Sequence, residues 1–266
     1  MRAVAAIVPA AGVGRRLGVR IGKPFIRLNG HPLLAYTLRA LQESPSIRWI
    51  VLVVQAEARA NAKELVKRYQ ITKALAPVLG AASRGESVAR GFQAVPAEAR
   101  WVLVHDGARP CLSVELVQRS VQQALRVGAV ACGLPASLTV KAVDEADQVR
   151  VTLERDHLWL VQTPQVFRRD WLAKALARAR GQLDRFSDDA ALLEAAAFPV
   201  RMIVGDPLNL KVTTREDVLL AEAILHHRQR QGRVGILRAS PDVQPGRSAD
   251  RAPIGVLPER FGGGST

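Results

Sequence analysis

Short apolar runs alternate with amphipathic stretches along most of the chain. Residues 4–8, 50–54, 101–104 and 129–134 form runs with the length and Val, Ile and Leu content of buried strands. Between them, segments 32–41, 57–69 and 113–127 carry apolar residues at helical spacing, and Ser113 is a suitable N-cap for the last of these. This alternation predicts an α/β fold, doubly wound around a mostly parallel sheet with helices on both faces.

The alternation of strand-like and helical segments stops after residue 138. Segments 139–143 and 149–153 are strand-like, and the polar stretch 144–148 between them predicts a turn, so this region should form a projecting β-hairpin. A two-stranded ribbon is marginally stable alone, so we expect this arm to pack on a second subunit in a homodimer.

Helices are expected again at 169–180 and 188–197, followed by a strand at 200–204. The last predicted helix covers 214–227, and the run Thr213-Thr214-Arg215-Glu216 has capping-box spacing. Beyond Arg228 the chain is rich in proline and glycine and lacks periodicity. We therefore expect a catalytic domain at 1–228, with its arm at about 138–157, and a disordered tail at 229–266.

Composition narrows the class of protein. The formal net charge is +14, but the arginines are scattered and no nucleic-acid-binding motif is found, which favours small polyanionic ligands over nucleic acid. No apolar run has the roughly 18 residues of a membrane span, and the N-terminal run is followed by loop residues unlike an export signal. A cytoplasmic protein without a membrane partner is expected. The two cysteines, Cys111 and Cys132, are interpreted as small hydrophobic residues.

A glycine-rich loop directly follows the first predicted strand. Gly12, Gly14 and Gly18 would let backbone N–H groups approach a polyanion, and Arg15, Arg16 and Lys23 add positive charge. The glycine spacing is one residue too long for a dinucleotide fingerprint, and Gln55 stands where that motif needs an acid. A nicotinamide oxidoreductase is therefore disfavoured.

Five further segments accompany this loop: residues 84–88, 104–110, 163–165, 187–190 and 209–213. The loop resembles the nucleotidyltransferase signature of sugar-nucleotide pyrophosphorylases. In their order and spacing, all six segments resemble the 2-C-methyl-D-erythritol 4-phosphate cytidylyltransferases of the non-mevalonate isoprenoid pathway. The resemblance covers about residues 3–227. It implies a Rossmann-like nucleotidyltransferase fold, a dimerisation arm, dependence on Mg²⁺, and transfer of CMP from CTP to a polyol phosphate with release of pyrophosphate.

The resemblance also implies roles for individual residues. Those that would offset charge at the reacting phosphorus are Arg16, Lys23 and Lys211. Those expected at CTP are Pro9, Ala10, Ala11, Gly12, Gly14, Arg15, Gly80, Ala81, Arg84, Ser87 and Asp106. Those expected at the acceptor are Asp106, Arg109, Arg155, Thr163, Ser187 and Lys211, with Arg155 serving the site of the other subunit. No protein metal cage is expected, because the triphosphate itself would carry the magnesium.

This chemistry needs no general base. A phosphate monoester has its second pKa near 6, so the acceptor is already largely ionised at neutral pH. The reaction needs in-line positioning and relief of repulsion between anions, which cations supply. Accordingly His105 is expected to orient neighbouring groups or to belong to the core, and not to carry a proton.

Some residues depart from the family pattern, and alternatives stay open. Ala81 stands where a second glycine usually follows Gly80, and Gly107 replaces a more common alanine. Ribitol 5-phosphate cytidylyltransferases share most of these motifs, so the acceptor is not decided by them. A basic nucleic-acid-binding protein is the alternative from another class, and it would lose affinity steeply with salt.

Overall fold

The fold is built on a seven-stranded sheet with strand order 11-7-10-6-1-4-5. The computed structural model describes residues 3–12 and 22–231. The strands in chain order are β1 (Val4–Pro9), β2 (Arg27–Leu28), β3 (His31–Pro32), β4 (Ile47–Val54), β5 (Val78–Leu79), β6 (Trp101–Val104), β7 (Ala129–Pro135), β8 (Val140–Val143), β9 (Val149–Leu153), β10 (Trp159–Arg168) and β11 (Arg201–Val204). The α-helices are α1 (Leu33–Glu43), α2 (Arg59–Arg68), α3 (Arg84–Gln93), α4 (Val114–Val127), α5 (Arg169–Arg178), α6 (Asp189–Ala195) and α7 (Arg215–Arg230).

The sheet is parallel except at one strand. β10 runs antiparallel to both β6 and β7, whereas the other pairings in this sheet are parallel. The carboxyl ends of β1, β5, β6 and β11 therefore meet at one edge. In open α/β sheets this is the edge at which ligands bind.

Two apolar layers cover the faces of the sheet. Along β1, Val4, Ala6 and Val8 face one cluster and Ala5 and Ile7 face the other, because successive side chains of a strand point to opposite sides. The first layer receives apolar side chains of α1, α4 and α7, and the second receives those of α3, α5 and α6. The predicted doubly wound arrangement is thus confirmed.

The predicted hairpin is also present. β8 and β9 pair with each other in a separate antiparallel sheet, joined to the molecule between β7 and β10. Every residue of β9 is exposed, including Val149 at 55% and Val151 at 47%. The hairpin follows the carboxyl end of β7, so it leaves the main sheet on the ligand edge.

Most predicted elements are confirmed within a few residues, and the exceptions are specific. Ser113 caps α4 by accepting a hydrogen bond from the Leu116 N–H, as predicted. The capping box of α7 lies one position later than predicted, because Thr214 and Asp217 form it, not Thr213 and Glu216. The predictions omit β10, β5, α3 and the short β2–β3 hairpin.

The last helix ends slightly later than predicted. α7 continues to Arg230, three residues past the predicted end at His227, and the domain boundary at Arg228 stays a prediction. The predicted disorder of the tail concerns residues that, from 232 onward, lie outside the part described. Within the described ranges, none of the helices combines the length and apolar character that crossing a membrane requires.

Candidate active site

Asp106 lies at the centre of a cluster of charged side chains at the carboxyl end of β6. Its Oδ1 accepts a hydrogen bond from Arg84 Nε at 3.0 Å, and its Oδ2 lies 2.9 Å from Lys211 Nζ and 3.8 Å from Arg109 Nε. Burial alone would raise the pKa of Asp106, but Arg84, Lys211 and Arg109 outweigh that effect and hold it well below its usual range. Asp106 is therefore a carboxylate at any physiological pH.

Arg84 joins this carboxylate to a second one. Its Nη2 donates to Asp189 Oδ2 at 2.9 Å, while its Nε donates to Asp106. Burial acts to lower the pKa of Arg84, but the two carboxylates raise it above its usual value. Ser83 caps α3 in a reciprocal box with Glu86, which fixes the helix start from which Arg84 extends.

Lys211 belongs to a segment that is held at several points. Asn209, fully buried, donates its amide to the Thr163 carbonyl at 2.7 Å and accepts from Arg109 Nη1 at its own carbonyl, also at 2.7 Å. The Val212 N–H donates to the Ala108 carbonyl. Within the described residues, Arg109 Nε and Asn209 Oδ1 are buried without a hydrogen-bond partner. Arg109 therefore retains a donor next to Asp106.

Thr163 organises the loop from within. Its Oγ1 accepts from the Asp106 N–H at 3.0 Å and lies 3.0 Å from Nδ1 of His105. Burial lowers the pKa of His105 to about 4, although Asp106 acts in the opposite direction, so the imidazole is neutral at pH 7. His105 is fully buried and positions the loop, as the sequence predicts. The predicted contact of Thr163 with the acceptor stays a prediction, since in this structure its hydroxyl is engaged inside the protein.

The loops after β1, β5 and β6 approach one another closely. A Cβ added at Gly80 would lie 2.5 Å from Ala11 Cβ, and one at Gly107 would lie 3.0 Å from Ala10 Cβ. Gly80 and Gly107 thus permit an approach that a larger residue would obstruct. Ser87, buried beside Gly80, accepts from the Ala81 N–H and donates to the Ser83 carbonyl. The residues predicted to read the base are brought together here.

Other predicted residues lie elsewhere or outside the description. Gly14, Arg15 and Arg16 fall outside the described residues. Lys23 begins a 3₁₀ turn at Lys23–Phe25, and its side chain is also outside the description. Pro9 ends β1, and the half-buried Ala11 and exposed Gly12 follow it.

Two acceptor residues are placed apart from the Asp106 network. Ser187 is exposed just before the N-cap of α6. Arg155 lies at the base of the arm, where its Nη1 donates to the Ser137 carbonyl at 2.8 Å. Neither hydrogen bond nor ion pair joins them to Asp106 within the described residues.

The sequence reading assigned no role to several residues that build the site. Asp189 and Asn209 lie within segments 187–190 and 209–213, but the sequence of these segments does not indicate which residues the two side chains contact. Gln165, fully buried on β10, donates to Asp188 Oδ2 and accepts from the Ala190 N–H, which fixes the start of α6 and hence Asp189. A capping-box signal at Ser83 and Glu86 could have located α3 and the root of Arg84.

Both cysteines belong to the apolar core. Cys111 and Cys132 are fully buried, and burial raises the pKa of each thiol to about 12. A thiol is a nucleophile only as thiolate, so neither can serve as one at neutral pH.

Comparison with known proteins supplies the family. A family model described as 2-C-methyl-D-erythritol 4-phosphate cytidylyltransferase (IspD) matches residues 4–227. The chain belongs to this family. Proteins of that name from Desulforamulus reducens and Dehalococcoides mccartyi are 38% and 41% identical to it, over 85% and 84% of this chain and 97% and 96% of theirs.

Solved structures agree with this membership. The 4-diphosphocytidyl-2C-methyl-D-erythritol synthase of Anaerococcus prevotii matches with a TM-score of 0.74 at 29% identity, covering 84% of this chain and 96% of its own. The 2-C-methyl-D-erythritol 4-phosphate cytidylyltransferase of Thermus thermophilus matches with a TM-score of 0.68 at 33% identity, covering 84% and 98%. The fold of this chain is thus that of a cytidylyltransferase, and the four proteins named here carry the methylerythritol name, which does not favour the ribitol alternative.

Proposed function

We propose that this family member transfers CMP from CTP to 2-C-methyl-D-erythritol 4-phosphate at the Asp106 cluster. The products are 4-diphosphocytidyl-2-C-methyl-D-erythritol, an isoprenoid precursor, and pyrophosphate. The observation that carries this assignment is the ion pair between Lys211 and Asp106, 2.9 Å long, at the ligand edge of the sheet. This pair holds a primary ammonium at Asp106, next to Gly107, which lies close to Ala10.

The charge of the cluster suits anionic substrates. Arg84, Arg109 and Lys211 provide three positive charges, against two carboxylates on Asp106 and Asp189. Fixed cations beside the reacting groups stabilise charge that develops on phosphoryl oxygens without reorganising during the reaction. Asp106 keeps the flexible Lys211 side chain oriented before the substrates arrive.

The step itself is a direct displacement. An oxygen of the acceptor phosphate attacks the α-phosphorus of CTP, the bond to the bridging oxygen of the leaving diphosphate breaks, and pyrophosphate leaves with that electron pair. The acceptor is already ionised, so no side chain removes a proton. We assign Lys211, Lys23 and Arg16 to offset the negative charge that accumulates at the α-phosphate.

Base selection is assigned to the loops that follow β1 and β5. The backbone groups of Ala10, Ala11, Gly80 and Ala81 are the candidates for reading the cytosine edge. Ser87 holds the Ala81 amide in place. The close approach of Gly80 to Ala11 brings the candidate backbone groups of the two loops together.

We propose that Mg²⁺ reaches the site on the triphosphate. In the ranges 3–12 and 22–231, no three His, Cys, Asp or Glu side chains are grouped so that they could hold an ion alone. Asp106, at the centre of the cluster, can contact a hydrated ion, the preferred form of protein-bound magnesium. The ion, when bound, would neutralise part of the triphosphate charge.

We further propose that the enzyme is a cytoplasmic homodimer without a nucleic-acid partner. The exposed valines of the arm support dimerisation, since exposed apolar surface on a separate ribbon is typical of a contact surface. Arg155 at the base of the arm would then reach the acceptor site of the other subunit.

A substrate panel tests this function. The purified protein is incubated with Mg²⁺, each of CTP, UTP, ATP and GTP, and either 2-C-methyl-D-erythritol 4-phosphate or ribitol 5-phosphate, while pyrophosphate is measured. We expect release with CTP and the methylerythritol acceptor. Faster release with ribitol 5-phosphate would reassign the acceptor, and none with any pair would overturn the function.

A further inference from the structure

Asp206 occupies a junction between three parts of the fold. Its Oδ2 lies 2.7 Å from Arg228 Nη2 on α7, and its Oδ1 accepts from the Leu208 N–H of its own loop at 2.8 Å. Its backbone pairs with Gln162 on β10 twice, since the Asp206 N–H donates to Gln162 Oε1 and the Asp206 carbonyl accepts from Gln162 Nε2. Almost every polar group of this residue is therefore engaged.

The same loop leads directly to Lys211. The Asn209 N–H donates to the Asp206 carbonyl at 2.9 Å, and Asn209 in turn binds the Thr163 carbonyl. Two residues later the Lys211 ammonium pairs with Asp106. The chain from Asp206 to Lys211 is thus short and fastened at its first and fourth residues.

Arg228 holds Asp206 rigidly against α7. It is 6% exposed, and its Nη1 donates to the Cys111 carbonyl at 2.5 Å while Nη2 holds Asp206. A buried guanidinium that is bound at two points has lost its freedom to follow a moving loop. Removing one partner of such a pair leaves a charge without compensation, so the loop and the last turn of α7 would both relax.

From these contacts we propose that Asp206 is a positioning residue for Lys211, and that Arg228 couples the end of α7 to the reaction centre through it. Asp206 does not touch substrate. It sets the backbone from which Lys211 reaches Asp106, and positioning errors of about 1 Å can cost about 10²-fold in rate. The catalytic part of this inference rests on the proposed function.

The test compares Asp206→Asn, Asp206→Ala, Arg228→Asp and the exchange Asp206→Arg/Arg228→Asp with the wild type. Asp206→Asn keeps an acceptor for Leu208 but loses the charge, and we expect kcat to fall about tenfold. Asp206→Ala should lower it by about 10²-fold. The exchanged pair should recover part of the loss seen in Arg228→Asp alone. The KM for CTP should change much less than kcat, because the residues assigned to the base lie on other loops.

Asp170→Asn is the matched control. Asp170 forms a two-point pair with Arg168 on the exposed start of α5, and its loss should leave kcat unchanged. A merely structural role for Asp206 would lower the melting temperature while leaving kcat per folded molecule intact, and that result would overturn the proposal.

Hydrogen exchange separates this inference from the proposed function. In Asp206→Ala, the amides of Asn209 and Val212 should exchange faster than in the wild type, while those of β1 stay protected. If the wild type released no pyrophosphate, the proposed function would fail, yet the exchange rates would still decide whether Asp206 holds the segment. Unchanged protection at Asn209 and Val212 contradicts the proposal in either case.

Discussion

At the scale of single residues, the site depends on one carboxylate, that of Asp106, which fixes the positions of several cationic side chains. Asp106 orients Arg84 and Lys211 simultaneously. Motif spacing could predict Asp106, Arg84 and Lys211, because each has a distinctive sequence neighbourhood. It could not predict Asp189 or Asp206, whose roles arise only from contacts with residues far away in the chain.

Removing the ammonium of Lys211 should affect turnover more than binding. Groups aimed at transition-state charge contribute about 3–4 kcal/mol, so Lys211→Ala should lower kcat by about 10²–10³-fold. The KM for CTP should rise much less. Lys174→Ala, which removes an exposed lysine of α5, is the control in steady-state assays. Equal losses of kcat in the two variants would show that Lys211 does not act in the reaction.

His105 should make the stability of the protein dependent on pH. Its folded pKa is lowered to about 4 from 6.5, so below pH 6.5 the unfolded chain binds a proton that the folded chain does not. This contribution is fully present above pH 6.5 and is lost as the pH falls towards 4, amounting to about 3 kcal/mol.

The measurement is urea unfolding of wild type and His105→Gln at pH 7 and pH 4.5. The free energy of unfolding should fall more steeply in the wild type, and the variant should retain much of its activity, because no proton relay is assigned. Parallel pH profiles of the two proteins would show that His105 does not titrate in this way.

At the scale of elements, the sequence pattern predicts regular strands and helices better than interrupted ones. β10 is missed because Gln162, Thr163 and Gln165 are polar although buried, and Pro164 interrupts the apolar pattern. The register shift between Val161 and Gln165 shows the same interruption in the pairing with β7. The buried polar residues that break the apolar pattern of this strand are also the ones whose hydrogen bonds hold the loops of the site.

The N-cap of α3 should matter for both stability and CTP binding. Ser83→Ala removes the hydrogen bond to the Glu86 N–H and should cost about 1 kcal/mol of unfolding free energy. Because Arg84 extends from the first turn, the KM for CTP should also rise. Ser83→Thr retains the cap and is the control. An alanine variant with the stability and KM of the threonine variant would disprove this role.

At the scale of the whole molecule, the arm is the reason for predicting an active site that is shared between subunits. The hairpin is separate from the main sheet and exposed, and Arg155 lies at its base. The pairing of β8 with β9 could be predicted from alternating runs around a polar turn. Which surface receives the arm could not, because nothing in a single chain records it.

Subunit mixing tests whether Arg155 acts across the interface. Arg155→Ala and Lys23→Ala should each be nearly inactive alone. In hybrid dimers one site lacks both groups and the other lacks neither, so mixing should restore part of the activity. No recovery after proven subunit exchange would place Arg155 in the site of its own chain or outside any site.

We expect CMP to pass directly from CTP to the acceptor phosphate, with fixed cations and no covalent enzyme intermediate. The stereochemical outcome at the α-phosphorus tests it most directly, using CTP made chiral there by α-thio substitution. A single in-line displacement inverts the configuration, and inversion is the result we predict. Net retention would require two displacements through a nucleotidyl-enzyme, and it would falsify the mechanism built on Lys211, Lys23 and Arg16.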